Sequence, residues 1–465
     1  MRLYNTLSKQ VEEVQPANPQ ELTIYTCGPT VYDYPHIGNW FTFIRYDLLV
    51  RTLKAAGLHP KWVLNITDVG HLVSDADEGE DKLEKGARRE GKSAWDVAQF
   101  YTDYFLKGLE RLNMTQPDFL PRATEHIDEQ IELIKKLEEK GYSYKIDDGI
   151  YYDTSKFPTY ADFARLDLDE QQAGARVEHN PQKRNPSDFA LWKFSPQSHQ
   201  RDMEWDSPWG KGFPGWHIEC SAMILKYLGE TVDIHSGGID HVPVHHTNEI
   251  AQSQAVTGKP LARCWMHANH ILVDDQKIAK SQGNSITLED LEAKGYGSDT
   301  LRLLVLQSYY RSQSMFSWTI MDSTKNALSD IYRWCDLRFQ PEVKAADSGD
   351  DKEIDSFIDK ITAHMTNDLD SPSALTEIYK LVRRTEPRRM SDESYAKLLP
   401  FLDNLFGLNL DKRQDIEQHQ KELIKQREEA RRENNWQEAD RLRQELTKQG
   451  IELNDTEHGP IWYRK

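Results

Sequence analysis

The first part of the chain alternates between short apolar runs and one long amphipathic run. Residues 22 to 27 (LTIYTC) read as a buried strand, and a helix is predicted to begin near Gly38, because apolar side chains recur at four-residue spacing within residues 40 to 48. A second strand follows at residues 61 to 66. This order is typical of a parallel α/β domain, whose ligands bind at the carboxyl ends of the strands. The loop at residues 27 to 39 is therefore placed for function.

The alternation stops after residue 117 and resumes near residue 215. The stretch between reads as a helix that ends at Gly141, a hairpin with its turn at Asp148-Gly149, and a glycine-rich loop from Trp209 to Gly215. The pattern is then restored by an apolar run at 223 to 228, a strand at 231 to 235, a helix from about 246 and a strand at 265 to 273. We therefore expect an α/β domain that is split by an inserted subdomain.

From about residue 320 onward the apolar positions follow a helical period. Ser371-Pro372 is typical of a helix start, with the serine as cap and the proline in the first turn. Two charged helices are predicted near 417 to 433 and 435 to 448, followed by a short tail that contains Trp462. The sequence thus predicts a helical bundle and a small C-terminal module.

Length and composition narrow the class of protein. A chain of 465 residues is too long for one core, because single cores stop growing near roughly 250 to 300 residues. A content of 38% hydrophobic and 29% charged residues is that of a globular protein and excludes disorder over most of the chain. No stretch approaches the roughly 18 apolar residues of a membrane span, and the first 16 residues lack a signal-peptide core. We therefore expect a cytoplasmic protein with no membrane partner.

Cysteine usage and charge bear on chemistry and partners. The four cysteines (Cys27, Cys220, Cys264 and Cys335) are far apart, which indicates reduced thiols rather than a disulfide scaffold. A formal net charge of -18 argues against indiscriminate nucleic-acid binding. Residues 411 to 465, however, carry 12 Lys and Arg against 13 Asp and Glu, which leaves room for a local basic face there.

A candidate metal site is indicated by His245 and Glu249, which are one helical turn apart and follow a Gly-Gly-Ile-Asp turn at 237 to 240. Zinc takes imidazole, carboxylate and thiolate ligands, usually four at once, so two more are required. Cys27 and Cys220 are the candidates because both border the presumed ligand end of the sheet. Taken alone, these four residues fit a surface helix pair and core cysteines better. Cys264 and Cys335 are read as such core residues.

Two further motifs indicate phosphate chemistry. At His36-Ile37-Gly38-Asn39 a loop enters a helix, so backbone N–H groups and the helix dipole would face an anion beside an imidazole. Lys277-Ile278-Ala279-Lys280-Ser281 with Gly283 and Asn284 forms a small loop whose two lysines could reach leaving phosphates. Each motif is weak alone, but both in this order form a strong signal.

The two motifs resemble the HIGH and KMSKS signatures of class I aminoacyl-tRNA synthetases. Longer segments are similar to cysteinyl-tRNA synthetases in particular: CGPTVYDYPHIGN at 27 to 39, NITD at 65 to 68, GWHIECSAM at 215 to 223, DIHSGGID at 233 to 240, HHTNEIAQS at 245 to 253 and WMH at 265 to 267. The likeness runs nearly end to end and includes residues 423 to 462, which are similar to that family's anticodon-end module.

The resemblance implies one zinc ion per chain, held by Cys27, Cys220, His245 and Glu249. It also implies a cysteine-binding pocket to which Cys27, His245, Thr67 and Trp216 contribute. The implied reaction joins L-cysteine and ATP to cysteinyl-adenylate with release of pyrophosphate, and then passes cysteine to the 3'-terminal adenosine of tRNA(Cys). Zinc would select the cysteine thiolate, which makes a separate editing site unnecessary.

Within this reaction the protein has to align the reactants and compensate phosphoryl charge. We expect His36, Gly38 and Asn39 to serve the α-phosphate, and Lys280, assisted by Lys277, to stabilise the leaving pyrophosphate while Mg²⁺ accompanies the ATP. Gly238 and Asp240 are expected to hold the ribose.

The implied architecture is an α/β fold: a split Rossmann-like nucleotide-binding catalytic domain with a connective insertion, followed by an α-helical bundle and a small C-terminal module. We expect a monomer. The predicted boundaries are 1–117 for the first half of the catalytic domain, 118–214 for the insertion, 215–265 for the second half, 266–319 for a stem-contact region with the KIAKS loop, 320–410 for the bundle, and 411–465 for the tRNA-binding module.

Two alternatives remain at the level of sequence. A ligase that transfers cysteine to a small amine, as in the mycothiol pathway, lacks a module such as residues 411 to 465. A non-catalytic tRNA-binding paralogue would not need His36, Lys280 and four zinc ligands.

The sequence departs from the family pattern mainly after NITD, where Val69-Gly70-His71 and an acidic segment from Asp75 to Glu84 occur. In the C-terminal module the arginines alternate with glutamates and are expected to form surface ion pairs, whereas Trp436 is the better contact to an unpaired base.

Overall fold

A computed structural model describes residues 1–70, 81–166, 180–196, 201–278, 283–340, 350–385, 390–456 and 459–464. The chain divides into two compact units, the first comprising Met1–Leu291 and Tyr310–Met315, the second Glu292–Tyr309 and Phe316–Lys465. The described part of the acidic segment is limited to Asp81–Glu84, and the predicted role of Lys280 falls on a residue outside the described ranges.

The secondary structure is mixed α/β. The strands are β1 (Arg2–Asn5), β2 (Gln10–Glu13), β3 (Leu22–Thr26), β4 (Pro60–Leu64), β5 (Ser143–Ile146), β6 (Gly149–Tyr152), β7 (Phe189–Phe194), β8 (Gly212–Pro214), β9 (Val232–Gly238), β10 (Ala262–Ala268), β11 (Ile271–Val273), β12 (Gln276–Lys277), β13 (Ser314–Phe316), β14 (Ile451–Thr456) and β15 (Gly459–Arg464). The α-helices are α1 (Ile37–Ala55), α2 (Lys82–Glu90), α3 (Ala94–Arg111), α4 (Ile127–Glu139), α5 (Trp216–Tyr227), α6 (Thr247–Thr257), α7 (Leu288–Ala293), α8 (Ser298–Leu306), α9 (Trp318–Asp336), α10 (Asp350–Thr366), α11 (Ser371–Thr385), α12 (Asp392–Phe406), α13 (Gln418–Arg432) and α14 (Trp436–Lys448).

The first unit is built on a four-stranded sheet in the order β10-β9-β3-β4. All three pairings are parallel, with Thr26 beside both Ser236 and Leu64, and Ala268 beside Gly238. The carboxyl ends of the four strands therefore meet at one edge of the sheet. This confirms the predicted parallel α/β fold and its split by an insertion, because β3 and β4 precede the inserted residues and β9 and β10 follow them.

The insertion folds as an antiparallel sheet in the order β5-β6-β7-β8. The expected hairpin exists, but its turn is Asp147-Asp148, and Gly149 already pairs with Ile146. The expected loop at 209 to 215 is partly wrong, since Gly212–Pro214 forms the edge strand β8 against β7. Gly212 fits there because a Cβ would come within 2.0 Å of the Lys193 carbonyl oxygen. The strand expected at 265 to 273 is also two strands, β10 and β11, separated by Asn269-His270.

The second unit contains helices α8 to α14 and a C-terminal hairpin. Helix α11 begins at Ser371, but the capping side chain is Asp370, whose Oδ1 accepts a hydrogen bond from the Ser373 N–H at 3.1 Å. The predicted tail is a two-stranded antiparallel sheet, β14 and β15. Its buried Trp462 packs with the apolar sides of α13 and α14, in a cluster formed by Ile416, Leu423, Leu442, Leu446, Ile451, Leu453 and Trp462.

Several C-terminal arginines are paired with acidic side chains, as the sequence suggested. Arg427 donates two hydrogen bonds to Asp455 at 2.8 Å each, and Arg441 bridges Glu438 and Glu445 on α14. Trp436, by contrast, is 58% exposed. Within the described residues, the helices are either too short or too polar to cross a bilayer.

Candidate functional site

A cavity of about 560 Å³ opens at the carboxyl edge of the central sheet. Its wall includes residues at the ends of all four strands: Cys27 after β3, Asn65 after β4, Gly238 at the end of β9 and Ala268 at the end of β10. The cavity therefore lies where a parallel α/β sheet binds its ligands.

The start of α1 forms one side of this cavity. His36 is the N-cap: its Nδ1 accepts a hydrogen bond from the Asn39 N–H at 3.3 Å, and its own N–H donates to Asn39 Oδ1 at 3.0 Å. A Cβ on Gly38 would lie 2.9 Å from the His36 ring and 3.0 Å from Ile278 Cδ1, so the glycine allows close packing at this point. His36, Gly38 and Asn39 all line the cavity, next to the positive end of the helix dipole.

The second phosphate motif reaches the same cavity. Lys277 ends the β11–β12 hairpin, is exposed, and lines the cavity together with Ile278. The two motifs are about 240 positions apart in the sequence, and the parallel sheet is what brings them together.

Four potential metal ligands converge beside the cavity: Cys27, Cys220 and His245 line it, whereas the buried Glu249 does not. One ligand atom from each of Cys27, Cys220, His245 and Glu249 lies within 4.8 Å of the others, and all four side chains are buried. His245 lies in a π-helical turn (242–246) that runs directly into α6, which carries Glu249, and the His245 Nε2 to Glu249 Oε1 distance is 2.9 Å. Cys220 is supplied by α5. Two thiols, an imidazole and a carboxylate are a ligand set that zinc accepts.

A second set of four shares two of these residues. Cys27, His235, His246 and Glu249 also have ligand atoms within 4.8 Å of one another. Among the described residues that line the cavity are Cys27, Cys220 and His245, whereas His235 and His246 are not among them. Three residues of the first set thus face the cavity, whereas only Cys27 of the second set does.

The residues behind the cavity hydrogen-bond to the potential ligands. His246 Nε2 is 3.2 Å from Cys27 Sγ, and His235 Nε2 is 2.7 Å from Glu249 Oε2. His217 Nδ1 is 2.9 Å from His245 Nδ1. Such outer partners orient ligand side chains in metal sites. The sequence analysis did not single out His217, His235 and His246, although a histidine within the buried run of β9 was a signal of a polar function.

The protonation preferences of the four residues are set by burial and by one another. Hydrogen bonding to Cys27 lowers the pKa of Cys220, while burial raises the pKa of Cys27. Burial opposes protonation of His245, but the Glu249 carboxylate and the Cys220 thiolate outweigh it and raise the pKa of His245 to about 10. The neighbouring His235 and His245 hold the pKa of Glu249 well below its usual range despite burial. Cys220 and Glu249 therefore favour the anionic forms that bind metals, whereas Cys27 and His245 favour their protonated forms and have to release a proton when a metal binds.

The remaining predicted site residues also line the cavity. Thr67 is buried and accepts a hydrogen bond from Asn65 Nδ2 at 3.1 Å. The Trp216 ring centroid lies 4.4 Å from that of His245. Gly238 and Asp240 contribute to the wall at the end of β9. Every predicted site residue that the structure describes, except the buried Glu249, is thus a wall residue of one cavity.

Family models match both units of the chain. The model described as the catalytic domain of "tRNA synthetases class I (C)" matches residues 13–326, and the "Cysteinyl-tRNA ligase anticodon binding domain" matches residues 413–462. The described fold is also similar to methionyl-tRNA synthetase of Mycobacterium tuberculosis in complex with methionyl-adenylate, with a TM-score of 0.60 over 84% of this chain and 93% of that one. At 13% identity this likeness shows the fold alone.

Curated relatives match over nearly the full length. The cysteine-tRNA ligase of Treponema denticola is 40% identical over 99% of both chains. Cysteine-tRNA ligase 1 of Burkholderia lata is 43% identical over 99% of this chain and 96% of its own, and the cysteine-tRNA ligase of Aquifex aeolicus is 39% identical over 100% and 99%. With this identity over the whole length and the two family models, the chain belongs to the cysteine-tRNA ligase family of class I aminoacyl-tRNA synthetases.

Proposed function

We propose that this chain activates L-cysteine with ATP and transfers it to the 3'-terminal adenosine of tRNA(Cys). The observation that carries the proposal is the convergence of three groups on one cavity: the Cys27, Cys220, His245 and Glu249 set, the His36 helix start, and Lys277. A metal-binding site suits a thiol-bearing amino acid, while the helix start and the lysine suit a triphosphate.

The metal is proposed to be zinc, one per chain, held by Cys27, Cys220, His245 and Glu249. This set is preferred over the one with His235 and His246 because a bound amino acid can reach only a metal that faces the cavity. When bound, zinc offers a coordination position that takes the substrate thiolate, which a serine hydroxyl fills far less well. His217, His235 and His246 then keep the ligands oriented from behind.

For the amino acid itself, the proposed pocket adds Thr67 and Trp216 to Cys27 and His245. Trp216 packs on the His245 ring, so it both shields the metal side of the pocket from water and limits the size of the side chain that fits. Thr67, whose hydroxyl accepts a hydrogen bond from the Asn65 amide, is another lining residue of this cavity.

In the proposed first step a carboxylate oxygen of cysteine attacks the α-phosphorus of ATP, and the bond from that phosphorus to the oxygen of the β-phosphate breaks. His36, Gly38 and Asn39 support this step mainly through the positive end of the α1 dipole, which faces the α-phosphate. The N–H groups of His36 and Asn39 are already used in the cap, and the Ile37 N–H donates to the Ile286 carbonyl. Lys277 and Lys280 are assigned to the leaving pyrophosphate, with Mg²⁺ bound to the nucleotide, and Gly238 with Asp240 to the ribose.

In the second step the terminal ribose hydroxyl of the tRNA attacks the carbonyl carbon of the adenylate, and AMP leaves. The tRNA assignment rests on the match of residues 413–462 to the anticodon-binding domain. Within that module the exposed Trp436 is the proposed contact to an unpaired base.

We further propose that the chain acts as a monomer. We also propose that six segments serve the functions expected from sequence: 1–117, 118–214, 215–265, 266–319, 320–410 and 411–465.

The test is aminoacylation with radiolabelled cysteine on the purified chain. Charging of tRNA(Cys) with cysteine, and no labelled product with small amines in place of tRNA, is expected. Activation of cysteine without charging would favour transfer to a small amine, and no activation at all would favour a non-catalytic paralogue. Either result would overturn the proposal.

A further inference from the structure

A group of aromatic side chains lies beside the mouth of the cavity, and the reaction steps above do not use it. Tyr34 lines the cavity two residues before His36, and its ring makes edge-to-face contacts with three rings of α3. The centroid distances are 6.1 Å to Phe100, 5.1 Å to Tyr101 and 4.8 Å to Tyr104. We call Tyr34 and Phe100, supported by Tyr101 and Tyr104, the aromatic platform.

The two outer rings of the platform are accessible. Tyr34 is 40% exposed and Phe100 is 41% exposed, whereas Tyr101 beneath them is buried. Two large aromatic rings side by side at the surface are costly to leave in water and are typical of a binding surface.

The platform is held rigidly from behind. The Tyr104 hydroxyl donates a hydrogen bond to Glu289 of α7, and Arg111 of α3 pairs with the same carboxylate at 2.6 Å. The Tyr34 N–H is fixed by Asp33 Oδ1 at 2.8 Å. Because Tyr34 packs against three rings, stacking a base on it costs little conformational entropy.

We propose that the aromatic platform is the docking surface for the unpaired 3' end of the tRNA, with bases stacked on Tyr34 and Phe100. The proposal rests on the proposed function, since transfer requires the terminal adenosine to enter this cavity. The nucleotides next to it must then cross the cavity mouth, where Tyr34 forms part of the wall and Phe100 extends the surface outward. Unpaired bases of any sequence bind well to aromatic rings.

Charge at the platform is compatible with this occupant. The Lys92 ammonium lies over one face of the Phe100 ring, 5.0 Å from its centroid, so a base has to stack on the other face or displace this exposed side chain. Stacking is the main attraction, because the Asp33 carboxylate next to Tyr34 offsets that cation. The platform therefore suits the bases of the tRNA end better than its phosphates.

Phe100→Ala tests the proposal, because Phe100 is not among the described residues that line the cavity. The expected result is a roughly 5- to 100-fold lower kcat/KM for tRNA charging, the range expected for the loss of one stacked base. Pyrophosphate exchange with cysteine should keep its kcat and its KM for ATP. Phe100→Trp preserves a stacking ring and should retain charging. Phe119→Ala is the matched control, since Phe119 is 38% exposed on the same unit but does not line the cavity.

Binding measurements separate the 3' end from the rest of the tRNA. The dissociation constant of a full tRNA(Cys) transcript should rise in Phe100→Ala, while that of a transcript trimmed of its unpaired 3' nucleotides should not change. Equal charging by Phe100→Ala and Phe119→Ala would overturn the platform assignment alone. A raised KM for ATP in Phe100→Ala would overturn it in favour of adenine binding. Failure of the unaltered chain to charge tRNA would overturn the proposed function as well.

Discussion

Gly28 is a wall residue of the cavity whose close backbone contact with Asn65 allows the effect of a substitution to be worked out. The segment that begins at Gly28 runs beside the segment after β4, with the Gly28 N–H donating to Asn65 Oδ1 at 2.8 Å and the Thr67 N–H donating to the Pro29 carbonyl at 3.0 Å. A Cβ on Gly28 would lie 1.6 Å from the Asn65 carbonyl oxygen and 2.7 Å from its carbon. Both are backbone atoms, so no side-chain rotation relieves the overlap.

Gly28→Ala must therefore separate the two segments by about 1.5 Å, which moves Cys27 and Thr67 apart. A displacement of about 1 Å near reacting groups costs on the order of 100-fold in rate, so we expect kcat/KM for cysteine-dependent pyrophosphate exchange to fall by roughly 100-fold or more. Zinc content should fall with it, because Cys27 is the adjacent residue.

Gly86→Ala is the matched control for this substitution. Gly86 lies inside α2, where a Cβ would be 3.5 Å from Val97 Cγ1, an ordinary contact. Alanine is favoured over glycine in a helix by about 1 kcal/mol, so this variant should fold and react as the unaltered chain does. Circular dichroism on both variants is the check that each of them is folded. If the exchange rates of the two variants agree within about threefold, the backbone contact at Gly28 does not shape the site, and the reasoning from overlap to rate is refuted.

Three further predictions follow from particular side chains. Cys220→Ser should lose zinc and cysteine activation together, while Cys264→Ala, in strand β10 of the central sheet, should keep both. Metal analysis and pyrophosphate exchange on the two proteins check this. Normal zinc content in Cys220→Ser would contradict the ligand assignment. Burial raises the pKa of Asp68 to about 6, above its unfolded value of about 3.9. The folded protein therefore binds this proton more tightly than the unfolded chain does. The resulting contribution to the free energy of unfolding, about 3 kcal/mol, is present below pH 4 and is lost as pH rises through 6. Asp68→Asn keeps its contacts with Thr124, so in urea unfolding it should be more stable than the unaltered chain at pH 8 and equally stable at pH 4. The same difference in stability at both pH values would rule out the buried charge as the cause of that difference. Trp436→Ala should raise the KM for tRNA by roughly 5- to 100-fold and leave cysteine activation unchanged, and an unchanged KM would remove this residue from the tRNA contact.

The sequence predicted those parts of the site that depend on local pattern. The order of strand, loop and helix at residues 22 to 55 was sufficient to locate the functional loop, and the spacing of His245 and Glu249 was sufficient to pair them. The structure brings Cys27 and Cys220 together with His245 and Glu249, with one ligand atom of each within 4.8 Å of the others. Whether the four residues bind zinc stays a prediction.

What the sequence could not supply depends on long-range packing. His246 contacts Cys27 only because β3 and the π-helical turn before α6 lie at the same edge of the sheet, a relation between residues 219 positions apart. Strand β8 and the hairpin of β14 and β15 were missed for a similar reason: they contain residues that are depleted in strands, such as Pro214, Asn454 and Gly459, and pairing with neighbours decides their conformation. The aromatic platform needed the packing of α3 against the loop that carries Tyr34.

Selection of cysteine by this cavity is tested by pyrophosphate exchange with cysteine and with serine, on one purified sample of known zinc content. We expect exchange with cysteine and about one zinc per chain. The exchange rate with serine should be lower by about 10⁴-fold or more, because a site built around a polar contact rejects the analogue that lacks it. Comparable exchange with the two amino acids, or full cysteine-dependent exchange in protein without zinc, would contradict this expectation.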